Sequence, residues 1–316
     1  MRAIDIFSGA GGSSLGASQA GLEIIAAFDR CPLAAKTHKA NFPGTKFFRG
    51  RLEHQNLKKL KRQLGPIDVI LASPECTSHS PAKGNKPRCE KSKNTAFQIV
   101  RFARILRPRW IVVENVVSMR QWSRYPEFKN KLQEQGYRIR EQVLNAMDFG
   151  VPQSRRRLFL TCDLKRMPPT VTVSKKQRPT ARAILNMNGT YECKPLYKKG
   201  RARPTLLRAR RALRALGKRE PFLLVYYGSD AAGGWQKLDR PLRTITTLDR
   251  FALVKPQGKR GRVMRMLQVP ELRAAMGMPR EMKFEFGTRR DRIKLIGNAV
   301  CPPVMKHVVH VLTTHV

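Results

Sequence analysis

Four residues of this chain have the types and the placement to do chemistry on a polar ring. Cys76 ends Ser73-Pro74-Glu75-Cys76, which follows the apolar run Ile67-Asp68-Val69-Ile70-Leu71-Ala72. A thiol at a strand end is a candidate nucleophile, because thiolate is the attacking form. A lone cysteine there is more often small apolar filler. What sets this one apart is the polar stretch 77–93, which carries Lys83, Lys86, Arg88, Lys91 and Lys93. A long basic loop beside a cleft fits a lid that closes over a nucleic acid. Glu114 ends the next apolar run, Trp110-Ile111-Val112-Val113, and so opens into the same crevice. Gln153-Ser154-Arg155-Arg156-Arg157 precedes another, and in extended backbone Arg155 and Arg157 point to one side. A thiol, an acid and two guanidiniums converging on one cleft suit a ring that has to be activated toward nucleophilic attack.

The elements that would hold these groups alternate. Ala3-Ile4-Asp5-Ile6-Phe7 reads as a strand, followed by a glycine-rich turn and a helix to about residue 20. Residues 23–28 form a second strand ending in Asp29, and residues 96–106 a helix stopped by Pro108. Residues 67–72, 110–113 and 157–161 complete the set. Apolar strands separated by helices predict an α/β fold with a doubly wound, mostly parallel sheet, whose ligands bind at the carboxyl ends of the strands. The turn Phe7-Ser8-Gly9-Ala10-Gly11-Gly12 lets backbone approach a ligand and presents free N–H groups at the helix start. Asp29 can hydrogen-bond both hydroxyls of a ribose. Together they point to an adenosine-containing cofactor, and a dinucleotide fits equally well. The bland alternative is a tight turn beside a solvent-facing Asp.

The charge narrows the partner. The 316 residues hold 63 Lys plus Arg against 22 Asp plus Glu, a net charge of +41. Such a surface neutralises phosphates and releases counterions, so a nucleic acid is the expected partner, although charge alone does not separate DNA from RNA. From Lys194 to Glu220 there are eleven Lys or Arg and one acid. Within that stretch Leu206, Ala209, Leu213 and Leu216 recur at helical spacing, with Pro204 near the start and Gly217 past the end, which predicts a basic amphipathic helix. No run of 18 apolar residues occurs, and the N-terminus has no basic n-region, so neither a membrane span nor secretion is expected. The expected location is the cytoplasm. The six cysteines (Cys31, Cys76, Cys89, Cys162, Cys193 and Cys301) form no C-x-x-C pair and no zinc spacing, so they should stay reduced and no metal is expected.

Taken in order, Asp5-Ile6-Phe7-Ser8-Gly9-Ala10-Gly11-Gly12, Pro74-Glu75-Cys76, Glu114-Asn115-Val116, Gln153-Ser154-Arg155-Arg156-Arg157 and Gly297-Asn298-Ala299-Val300 resemble the motif series of the DNA (cytosine-5)-methyltransferases of bacterial and phage type. Arg240-Pro241-Leu242-Arg243-Thr244-Ile245-Thr246 resembles their segment after the target recognition domain. The match runs from residue 4 to about 304. The resemblance implies a class I S-adenosylmethionine-dependent methyltransferase fold with a second, smaller recognition domain. It implies that Cys76 is the nucleophile that adds to C6 of a flipped cytosine, Glu114 the acid that holds N3 and N4, and Arg157, with Arg155 behind it, the holder of O2. Phe7, Ser8, Gly9, Ala10, Gly11, Gly12, Asp29, Arg30, Arg51, Leu52, Pro74, Asn298, Ala299 and Val300 match positions around S-adenosyl-L-methionine. Ser80 matches a loop serine near the target phosphate. Lys83, Lys86 and Arg88 of the lid, with Arg208 and Arg211 of the basic helix, are the other candidate DNA contacts. The partner implied is double-stranded DNA, bound by a monomer.

This sequence departs from the family pattern twice. Glu75 stands where a proline usually precedes the nucleophile, and its charge could raise the Cys76 pKa unless it points away. Arg51 stands where an acid usually receives the adenine amino group. Three other readings compete. An amino-methyltransferase would need an aromatic at position 76. An RNA cytosine-5 methyltransferase shares the same site, and a non-catalytic DNA-binding protein has no use for Cys76, Glu114, Arg155 and Arg157. The expected organisation is a catalytic domain of residues 1–166 plus 291–316, a recognition domain of residues 167–290, and DNA in the cleft between.

Overall fold

The computed structural model describes residues 1–75, 94–173, 178–227, 233–258 and 261–314. Its first layer is built from β1 (Arg2–Ile6), α1 (Gly12–Gln19), β2 (Glu23–Asp29), α2 (Pro32–Asn41), β3 (Lys46–Arg49), α3 (Leu57–Leu64) and β4 (Val69–Ala72). It continues through α4 (Phe97–Leu106), β5 (Trp110–Asn115), α5 (Tyr125–Gln133), β6 (Arg138–Asn145) and β7 (Arg156–Asp163). These strands form one seven-stranded sheet in the order β3-β2-β1-β4-β5-β7-β6. The pairings of β1, β2, β3, β4 and β5 are parallel, while β7 runs antiparallel to both β5 and β6.

Alternation along the strands sends side chains to two cores. Ile4, Ile6, Ile70, Ile111 and Val113 face α3, α4 and α5, where Leu60, Phe102 and Phe128 are fully buried or nearly so. Ala3, Val69, Leu71 and Val112 face the other way, toward Ala17 of α1. There they meet the chain's C-terminal segment, α8 (Arg289–Asn298) and α9 (Pro302–Thr314), which returns to this layer as the motif order implied. The stretch Arg289–Thr314 is long and apolar enough to cross a membrane, but it is two helices broken at residues 299–301 and it packs in this core.

Residues 167–261 have weak periodicity in sequence, yet they contribute a second sheet. It comprises β8 (Lys194–Pro195), β9 (Phe222–Val225), β10 (Trp235–Lys237), β11 (Phe251–Pro256) and β12 (Arg262–Met266), in the antiparallel order β10-β9-β11-β12-β8. Leu223, Val225, Phe251 and Leu253 join the core on the α1 and C-terminal side of the first sheet. Phe222, Leu224, Ala252 and Val254 face the opposite way and are covered by Ala209 and Ala212 of α6 (Arg203–Leu216), the predicted basic helix. The junction is fixed by a buried bidentate pair. Arg265 donates to both carboxylate oxygens of Glu271, at 2.7 and 2.6 Å, at the start of α7 (Val269–Ala275).

Candidate active site

The glycine-rich loop leaves β1 with strained backbone. Phe7 is held at φ 63°, a left-handed conformation that costs a non-glycine residue about 1–2 kcal/mol. Gly11, at φ 96°, closes the turn by donating to the Ser8 carbonyl at 2.9 Å and leads into α1. A side chain at Gly12 would collide with the Val300 carbonyl, so the loop and the Gly297–Val300 motif touch only because position 12 is glycine. Ala299 and Val300 are buried there, while Asn298 is exposed. Asp29, at the end of β2, accepts the Gly9 amide at 2.9 Å and the Cys31 amide at 2.8 Å. Burial, more than any neighbour, pushes its carboxyl above the ordinary range.

This geometry fits the methyl-donor cofactor. Each Asp29 oxygen accepts one amide and keeps a lone pair for a ribose hydroxyl. The Gly50 amide donates to the Asp29 carbonyl at 3.1 Å, which brings Leu52, 4% exposed, to the same edge. Arg51 is exposed beside it. Beneath the loop lies a polar chain that the sequence reading missed. Ser14 donates to Asp5 at 2.6 Å and bonds His38 at 3.0 Å, all three side chains being buried. Burial pushes the Asp5 carboxyl up to about 7 and holds His38 down at about 4.

At the ends of β5 and β7 the acid and the arginines meet. Glu114 is buried and pairs with Arg157 Nε at 3.2 Å. Burial raises its pKa, and Arg157 and then Arg155 pull it back without cancelling the rise. A carboxyl whose pKa is raised in this way is suited to donate to a ring nitrogen when it carries its proton. The cavity around it is lined by Arg155, Arg157, Phe159, Val300 and Cys301, among others. Cys301 was not anticipated as a wall. Burial pushes its thiol up to about 11, so it stays neutral and is no rival nucleophile.

Arg155 and Arg157 line the same cavity but do different work. Arg155 is 3% exposed and donates to the carbonyls of Ile245 at 3.0 Å, Gly297 at 3.0 Å and Ala299 at 3.1 Å. It is the strut joining the cavity to the two later motifs. Gln153 assists from within the same motif, donating to the Ala275 carbonyl and accepting the Ile245 amide at 2.8 Å. Asn115 donates to the Pro74 carbonyl at 3.1 Å, which fixes the peptide two residues before Cys76.

Cys76, Ser80, Lys83, Lys86 and Arg88 lie outside the described residues. Glu75 is described, and its carboxylate points to Arg30, 2.5 Å away, which supplies a positive partner for the charge expected to burden the thiol. On α6, the Arg208 guanidinium lies over the Tyr226 ring at 5.5 Å, and Arg211 is exposed. Both are on the helix that covers the face of the second sheet opposite the one joining the α1-side core. Among the described residues no group of three or more His, Cys, Asp or Glu could hold a metal ion.

A seven-stranded sheet with a reversed seventh strand, a glycine-rich loop after β1 and an acid closing β2 define a class I S-adenosylmethionine-dependent methyltransferase fold. The acid–arginine cavity narrows the class further. The chain belongs to the C-5 cytosine-specific DNA methylase family, whose model matches residues 1–314. It is similar to the type II methyltransferase M.NgoPII of Neisseria gonorrhoeae (26% identical over 95% of this chain and 92% of that one). M.FnuDI of Fusobacterium nucleatum is 24% identical over 95% of this chain and 90% of that one. M1.HphI of Haemophilus parahaemolyticus is 33% identical over 49% of this chain, and the match spans only 44% of that relative's length. Among solved structures, Entamoeba histolytica methyltransferase EhMeth superposes with a TM-score of 0.72 at 17% identity, over 100% of this chain and 98% of that one. The S. pombe Dnmt2 methyltransferase does so with a TM-score of 0.70 at 17% identity, over 100% and 98%. These likenesses speak to the fold.

Proposed function

We propose that the chain methylates carbon 5 of cytosine in double-stranded DNA. The observation that carries this reading is the buried Glu114–Arg157 pair, with Arg155 behind it, in one cavity beside the Val300 end of the cofactor-side motif. A base inside a duplex is unreachable, so the target cytosine is flipped into this cavity. Glu114, whose pKa burial raises, donates to N3 in its protonated form and draws electron density from the ring. Arg157 holds O2. The Cys76 thiolate then adds at C6, which turns C5 into an enamine-like carbon. S-adenosylmethionine supplies the methyl group that this carbon takes up. Loss of the C5 proton re-forms the ring double bond and expels Cys76. Phe7–Gly12, Asp29 and Leu52 hold the cofactor, and Asn115 steadies the peptide that carries the nucleophile.

Residues 167–290 serve as the recognition domain, which works in a monomer and reads the DNA sequence. DNA in which the target cytosine carries fluorine at C5 tests the mechanism, because fluorine cannot leave as the proton does. The wild type should form a covalent complex with it that survives denaturing gels, and Cys76→Ala should form none and transfer no methyl. Methyl transfer to DNA by the wild type without trapping overturns addition at C6. Transfer to RNA but not to DNA overturns the substrate assignment.

A further inference from the structure

Two residues that flank the cofactor loop, Arg30 and the departure Glu75, are bonded to each other. Arg30 directly follows the last residue of β2, and Glu75 lies three residues beyond the end of β4. In the sheet, β1 runs between those two strands. The Arg30 Nη2–Glu75 Oε1 pair, at 2.5 Å, therefore crosses the carboxyl end of β1, where residues 7–12 emerge. Its two posts are anchored. Cys31 and Gly9 amides hold Asp29 beside Arg30. On the other side, the Ser73 amide donates to the Ile6 carbonyl at 3.3 Å, and Asn115 holds the Pro74 carbonyl. The side chains themselves are accessible, at 58% and 28% exposure. An ion pair between fixed posts, open to water, is weak enough to part and re-form without moving backbone.

We propose that Arg30 and Glu75 form a gate over the cofactor cleft. It opens to admit the cofactor, closes over it, and opens again to release the demethylated product. The inference rests on the S-adenosylmethionine reading of the loop. It makes Arg30 and Glu75 determinants of exchange rate, and it differs from ordinary contact residues in one measurable respect. Loss of a contact raises the dissociation rate alone, whereas loss of a gate that is closed in both states raises association and dissociation together.

The test is the rate of binding and release of S-adenosylmethionine and S-adenosylhomocysteine, measured on the full chain by surface plasmon resonance. Wild type is compared with Arg30→Gln, Glu75→Gln and the charge-exchanged Arg30→Glu/Glu75→Arg. Each single variant should exchange ligand roughly twofold to fivefold faster in both directions, the range expected for a partly exposed pair, with a smaller change in Kd. The exchanged pair should return toward wild-type rates, and raising salt should carry the wild type toward the single variants. Unchanged rates in the singles, faster release without faster association, or an exchanged pair that behaves like the singles each overturn the gate. A wild type that binds neither compound overturns the cofactor reading itself, which is a different result. Melting temperatures within a few degrees of wild type confirm that the variants are folded.

Discussion

Replacing Arg155 by Met removes the strut while keeping a side chain of similar reach. Its guanidinium satisfies three carbonyls, those of Ile245, Gly297 and Ala299, in a site where the residue is 3% exposed. Stranding a buried acceptor costs about 1–3 kcal/mol, so three cost roughly 3–9 kcal/mol before the segments relax. Relaxation toward water should leave about 3–5 kcal/mol, a large share of the 5–15 kcal/mol that stabilises a typical domain. At about 2–4 °C per kcal/mol for chains of this order of size, the melting temperature should fall by roughly 6–20 °C. Arg156→Met is the control, because Arg156 belongs to the same segment and is exposed. It should melt close to wild type. Differential scanning fluorimetry reads both variants, and methyl transfer below their melting temperatures reads the site. Since Gly297 and Ala299 belong to the motif that touches the cofactor loop, Arg155→Met should also lose most activity while folded. An Arg155→Met protein that melts within 2 °C of wild type, by the same ~1 kcal/mol reasoning, would refute the strut.

Glu114→Gln should lower the rate by about two to four orders of magnitude with little change in cofactor affinity. Because burial raises the Glu114 pKa, wild-type turnover should decline at high pH as the acid loses its proton, and that limb should vanish in the variant; near-normal turnover would remove Glu114 from the mechanism. Asp5 makes stability itself depend on pH. Its folded value, about 7, lies above the ordinary 3.8, so the stability contributed by its proton is fully present below about pH 4 and is lost as pH rises through about 7. The full loss is of the order of 4 kcal/mol, of which about 2–3 kcal/mol falls between pH 5 and pH 8, and Asp5→Asn should flatten it, as urea midpoints at those two pH values would show; equal slopes in the two proteins would contradict it. Neutralising Arg210, Arg211 and Arg214 together should reduce the slope of log DNA affinity against log salt by up to about three units, and an unchanged slope would make them a solvated face. Arg208 is left intact in that test, since it lies over Tyr226 and its loss would confound packing with charge.

The sequence exposes those parts of the molecule whose signal is local. The runs of β1, β2, β4, β5 and β7 are continuous and apolar because each is covered on both faces, and the glycine-rich turn advertises the cofactor end. Strand β3 is only Lys-Phe-Phe-Arg, with both ends exposed, and β6 reads Arg-Ile-Arg-Glu-Gln-Val-Leu-Asn. Edge strands of this kind carry charge and give no apolar run. The second sheet was hidden for another reason. Its strands are two to six residues long and pair across as many as about seventy residues, from Pro195 to Val263. The site divides in the same way. Glu114 and Arg157 stand at strand ends and could be read as a converging pair, but the partners of Arg155 are carbonyls 90, 142 and 144 residues away. A carbonyl has no side-chain signature, so nothing in the sequence separates the strut from Arg157, which pairs with Glu114.

That distinction changes how the motifs relate. Arg155 ties the β7 entrance to Gly297 and Ala299, and Val300 in turn presses its carbonyl against Gly12 of the cofactor loop. Gly297 is pressed in the same way against the backbone of Thr246. Asn115, next to the acid, holds Pro74 before the nucleophile, and Ser73 is bonded to Ser13 at the start of α1. Cofactor loop, nucleophile peptide, acid and C-terminal motif are thus one bonded ring around the carboxyl ends of β1, β4 and β5. Methyl transfer requires donor and acceptor carbons to be aligned to within fractions of an ångström, and a ring of short contacts, with the buried Arg155 as its strut, holds that alignment. Exchange of the cofactor, by contrast, requires part of the rim to yield. The Arg30–Glu75 pair spans the rim outside that ring through side chains that are 58% and 28% exposed, so in the proposed gate it is the contact that opens while the ring stays fixed.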